Sequence, residues 1–227
     1  AYYVRGVAWF FSKHIFKKGV EDFQYALELE PDNAVLVAAI GKGALLTGNF
    51  DDAISQYQAA LILEPLVPEF YWFLGKAYRS AGRLDDAEAS FRSMANLSGS
   101  TQVNFDLWET LFLKGEFEAA LAQSDNLFTR AVTHYALGNA AKADENLAEL
   151  IEVNADSNPY SISKAYAYRG DADKTFEWLN YSLENNGSYP WFILSETAFH
   201  SVYSDPRWEI FMEKLGLLEF WLEMSPD

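Results

Sequence analysis

The chain has 227 residues, with 17 Lys+Arg against 33 Asp+Glu, a formal net charge of -16, and half of its residues hydrophobic. That composition supports a packed core and excludes wholesale disorder. The acidic balance argues against direct contact with nucleic acid, whose phosphates recruit Lys and Arg.

With no cysteine in the sequence, disulfides, thiolate metal sites and a Cys nucleophile are excluded. His14, His134 and His200 lie far apart and show no ligand spacing, so neither a metal nor a cofactor is expected. No apolar run approaches the ~18 residues of a membrane helix. The chain opens at Ala1 inside an aromatic segment, which reads as a piece of a larger protein. Its apolar edge is a candidate surface for self-association.

In chain order, the first expected helix covers roughly residues 2–12, and GVEDFQYALELEP supplies the second. Gly6 and Gly19 stand 13 residues apart, one more than Gly41 and Ala53 in the next pair. Arg5, Lys13, Lys17 and Lys18 make this end basic, with no acid among the first twenty residues. That bias fits a membrane-surface or partner contact, or a solvated helix face.

Residues 34–67 and 68–101 then repeat one another. Gly41 falls on Gly75, Gly48 on Gly82, Phe50 on Leu84, Ala53 on Ala87 and Tyr57 on Phe91, each pair 34 residues apart. Small residues at Gly41, Gly75, Ala53 and Ala87 allow two helices to approach closely. Gly48 and Gly82 end the first helix of each pair, because glycine takes the left-handed conformation cheaply. Pro65 ends the second helix of its pair. Asp51, Asp52, Asp85 and Asp86 sit where a helix dipole favours acids.

Turn glycines recur with decay at Gly115, Gly138 and Gly170. The step of 23 from Gly115 to Gly138 predicts that the second helix in GEFEAALAQS is clipped or runs almost directly into the next unit. Ala143 and Leu147, then Thr175 and Leu179, take the packing positions of two further pairs. Last, Asp205 is a candidate N-cap with Pro206 at the first helical position. Trp208, Phe211, Met212 and Leu215 share one face of that helix.

This spacing resembles the tetratricopeptide repeat (TPR), and the resemblance covers nearly the whole chain. It implies an all-α, right-handed α-solenoid of about six helix pairs. The array would occupy residues 1–189, best formed at 34–67 and 68–101, and a C-terminal helical cap would occupy residues 190–227. The tail DPRWEIFMEKLGL after AYRGDADKTFEWL is also similar to TPR regions of bacterial multidomain regulators, the adenylate cyclases and winged-helix activators.

The implied function is a non-catalytic scaffold or regulatory module that binds protein or peptide in a concave groove. The alternative is a ligand-sensing region of a bacterial signalling protein whose output domain lies elsewhere. The compartment stays open between cytoplasm and periplasm. No enzyme is expected: the paired acids recur at a fixed repeat position, and GKGALL lacks phosphate-loop spacing.

In the repeat frame the groove-facing residues are Lys42, Trp72, Phe73, Lys76, Arg79, Phe105, Glu109, Phe112, Tyr135 and Lys164. Val35, Ala38, Leu45 and Glu69 share that frame. Lys42, Lys76 and Lys164 occupy one repeat position, a basic stripe suited to an acidic or C-terminal segment. The family's carboxylate clamp uses Lys, Asn, Asn, Lys and Arg. The matching positions here are Tyr3, Val7, Ala39, Glu69 and Phe73, so that clamp is not expected.

Overall fold

The computed structural model describes residues 1–13, 16–101, 103–186 and 192–224, with backbone only for residues 10–13, 16, 17 and 186. His14 and the side chains of Phe10, Lys13 and Lys17 lie outside that description.

The described residues form α-helices, two short 3-10 turns and no strand. Twelve helices fall in six consecutive pairs: α1 (Tyr2–Lys13) with α2 (Phe16–Leu29), α3 (Ala34–Leu46) with α4 (Phe50–Leu63), and α5 (Pro68–Ser80) with α6 (Leu84–Ser98). Then come α7 (Asn104–Leu113) with α8 (Phe117–Gln123), α9 (Leu127–Ala136) with α10 (Ala140–Asn154), and α11 (Pro159–Tyr168) with α12 (Ala172–Asn186). The 3-10 turns at Ile193–Ser195 and Thr197–Val202 precede α13 (Pro206–Leu215) and α14 (Leu218–Met224).

The chain divides into two compact units. Residues 1–103 with 220–227 form the first, and residues 104–219 the second.

The repeat chemistry accounts for the pairs. Gly48, Gly82, Gly115, Gly138 and Gly170 all have positive φ, between 72° and 81°, and each lies in the turn that joins the two helices of a pair. Close approach is met by absent side chains: a Cβ on Gly75 would lie 2.7 Å from the Phe91 ring. Ala53, Ala87, Tyr57 and Phe91 are fully shielded from solvent. Asp51 and Asp52 sit in the first turn of α4, and Asp85 and Asp86 in that of α6. Helix α8 spans seven residues, the clipped one of the two outcomes that the short glycine step predicts.

The second unit is held by a core of Trp108, Leu111, Phe128, Val132, Leu147, Leu150 and Ile162. Trp108 donates its indole N–H to Thr133 Oγ1 at 3.0 Å. At its end Asp205 caps α13 by accepting from the Arg207 N–H, and Trp208, Phe211, Met212 and Leu215 are buried.

Candidate functional site

In the first unit, α1, α3 and α5 supply most of the walls of a cavity of about 260 Å³. The repeat explains this: the first helix of each pair lies beside its counterparts, so equivalent positions converge. Val35, Ala38 and Lys42 from α3 meet Glu69, Phe70 and Phe73 from α5, with Tyr3 and Val7 from α1. Phe23, Tyr57, Glu64 and Val67 complete the lining. All five positions of the family's carboxylate clamp, Tyr3, Val7, Ala39, Glu69 and Phe73, therefore face one cavity, with an apolar and acidic character in place of a basic one.

The polar groups of this cavity are few. The Lys42 ammonium lies 5.1 Å from the centre of the Phe73 ring, a cation–π distance. Burial lowers the Lys42 pKa, and the charge of Glu69 opposes that shift. Phe73 stacks on Tyr57 with ring centres 5.4 Å apart and an interplanar angle of 7°. The Tyr57 hydroxyl is buried and has no hydrogen-bond partner, and burial pushes its pKa up, so it stays a neutral phenol.

The other expected groove residues of this unit divide by exposure. Trp72 and Lys76 are partly exposed, with the ammonium 5.0 Å from the indole centre. Arg79 was expected on the same exposed face but is only 4 % exposed. Its guanidinium lies 5.4 Å from the Phe91 ring. Leu45 is wholly buried rather than groove-facing. The helix face that carries Trp72 therefore turns inward within two turns. Arg5 of the basic N-terminal end pairs with Asp22 at 2.6 Å.

In the second unit, the expected residues are mostly interior. Glu109 is 1 % exposed and accepts from the Tyr168 hydroxyl at 2.6 Å and from Thr197 Oγ1 at 2.9 Å. Lys164 donates to Glu196 at 2.5 Å, and its ammonium is 5.4 Å from the Phe105 ring. Lys164 and Glu109 were expected to be exposed. They are buried because residues 193–202 lie against α11, with Ser201 donating to the Ala167 carbonyl at 2.8 Å. Phe112 packs among Trp108, Phe117 and Tyr168. Tyr135 alone of this group is exposed, with Arg169 over its ring at 4.8 Å.

Glu196 and Thr197, which pair with these residues, escaped sequence reasoning because they cap and open a 3-10 turn that lacks the repeat pattern. Among the described residues no cluster of His, Asp or Glu is arranged to hold a metal ion. No described helix is long and apolar enough to cross a membrane.

The helix pairs and their turn glycines define the class, a helical-hairpin repeat. Residues 39–100 match the family model of the tetratricopeptide repeat, so that stretch carries tetratricopeptide repeats. No curated protein matches it.

Among solved structures, it is similar to PilW, a widely conserved type IV pilus biogenesis factor, at 15% identity and a TM-score of 0.58, over 84% of this chain and 94% of that one. It is similar to PilF of Pseudomonas aeruginosa at 15% identity and a TM-score of 0.55, over 84% and 93%. It is also similar to a tetratricopeptide repeat protein of Parabacteroides merdae at 13% identity and a TM-score of 0.55, over 97% of both chains. At these identities the likeness concerns the fold.

Proposed function

We propose that this chain is a non-catalytic module that binds protein or peptide through the first-unit groove. The observation that supports this is the convergence of equivalent repeat positions, Val35, Ala38, Lys42, Glu69 and Phe73, on one largely apolar cavity. Beside it stand Trp72 and Lys76, partly exposed. Tryptophan is enriched among residues that dominate binding energy, because it offers a large, stiff contact surface.

A peptide of a few residues would place one side chain in the cavity and lie over Trp72 on leaving it. The second unit plays a structural part in this reading, since Glu109 and Lys164 are already engaged by the chain itself.

The test is selection of a random phage-displayed peptide library against the full chain, followed by NMR mapping of an enriched peptide. Expected shifts fall on α3 and α5, and Trp72→Ala weakens binding at least tenfold with helicity unchanged. Failure to enrich any peptide, or shifts confined to α4 and α6, overturns the proposal.

A further inference from the structure

We infer that the first-unit cavity selects an uncharged apolar residue, whose main-chain carbonyl accepts a hydrogen bond from the Tyr57 hydroxyl. This deepens the peptide-binding reading and rests on it.

The first argument is charge. The cavity has one cation, Lys42, and two acids, Glu64 and Glu69. Lys42 already feels the charge of Glu69. A carboxylate entering here would meet two acids for one ammonium, and a cationic side chain would have to leave water for the aromatic and aliphatic walls. The neutral ligand avoids both penalties, since burying an unbalanced charge is costly. The aromatic and aliphatic walls, Val7, Phe23, Val35, Phe70 and Phe73, suit a leucine-sized or phenylalanine-sized side chain.

The second argument is hydrogen-bond accounting. A buried hydroxyl without a partner is costly and rare in native structures. Tyr57 lines this cavity, and its hydroxyl is such a group. A neutral phenol can donate to a main-chain carbonyl, which every peptide residue carries. Tyr57 is fully shielded in the free chain, so the acceptor reaches it by displacing part of the lining.

The probes are acetyl-phenylalanine methylamide, which is neutral, acetyl-phenylalanine, which carries a carboxylate, and ethylbenzene, which has no carbonyl. Each is titrated into the full chain and followed by NMR at Val35, Lys42 and Phe73. The neutral amide should bind several-fold more tightly than the carboxylate. Tyr57→Phe keeps the ring stacked on Phe73 and deletes only the hydroxyl. It should lower amide affinity about fivefold, the usual worth of one net hydrogen bond, and leave ethylbenzene binding unchanged.

Tyr57→Phe should also raise the melting temperature of the free protein. Tighter binding of the carboxylate, equal binding of amide by Tyr57→Phe and wild type, or no response to any probe overturns the inference. An enriched library peptide that maps to α3 and α5 would leave the peptide-binding proposal standing in each of those cases.

Discussion

Lys164 and Glu196 show how one residue type at one repeat position can serve opposite ends. Lys42 and Lys76 keep part of their surface open, whereas Lys164 is 7 % exposed and joined to Glu196. Removing one partner of a buried pair typically costs about 3 kcal/mol. Glu196→Ala should therefore lower stability in urea denaturation by about that amount, and the double replacement Lys164→Met with Glu196→Leu should cost less because it removes both charges. Equal stability of Glu196→Ala and wild type would show the pair to be inert.

The packing glycines make a matching prediction. Gly75→Ala sets a methyl 2.7 Å from a Phe91 ring that is fully buried and has no room to retreat. Overpacking of this kind costs about 1–3 kcal/mol, more than the roughly 1 kcal/mol that alanine contributes over glycine in a helix. Urea midpoints of the variant and wild type measure the balance, and a stabilised Gly75→Ala would mean that the two helices separate easily.

At the scale of elements, the caps carry the ends of the helices that lack turn glycines. Asp205 accepts hydrogen bonds from Arg207, from both its backbone N–H and its guanidinium, and these hold its carboxyl down at about 2. A depressed carboxyl stabilises the folded state fully above its unfolded pKa, near 4, and loses that effect as pH falls toward 2. The acid limb of a pH–melting curve should therefore shrink between pH 4 and 2 in Asp205→Asn. An unchanged limb would show that this cap plays no part in acid unfolding.

Helix α8 buries only Ala120 in its seven residues, whereas α10 buries Ala143, Leu147 and Leu150. Local opening tracks buried contact, so α8 amides should exchange with solvent faster than those of α10. Similar protection in both would contradict it.

The same elements mark what the sequence made legible. Every helix pair and every turn glycine follows from spacing, since small residues and left-handed glycines are local requirements. The face of a residue is not local. Arg79 and Glu109 occupy groove-facing positions of the repeat frame, yet neighbouring aromatic rings and Thr197 enclose them. The cavity was half legible: Lys42 and Phe73 come from the frame, but Tyr57 reads from sequence only as packing. Its orphan hydroxyl appears only when its surroundings are counted.

At the scale of the whole molecule, two units of repeat architecture divide the work. The first gathers the equivalent positions around its cavity, and the second spends Glu109 and Lys164 on its own interior. Stability in such arrays is approximately a sum of repeat and neighbour terms. Substitutions at Tyr57 or Trp72 should thus leave the second unit's hydrogen-exchange protection unchanged. A loss of protection throughout residues 104–186 after Trp72→Ala would refute that independence.

Two glycines with the same backbone angle differ in their freedom to mutate. Gly82 has φ of 74° and open space around it, whereas the place of a Cβ on Gly48, at φ of 81°, is filled by the Met224 sulfur. Asparagine tolerates the left-handed conformation, so drift or consensus redesign can write Asn at position 82 with little penalty. At position 48 the same letter would displace the Met224 side chain. The tail thereby turns a repeat position that should be interchangeable along the array into one with an individual identity.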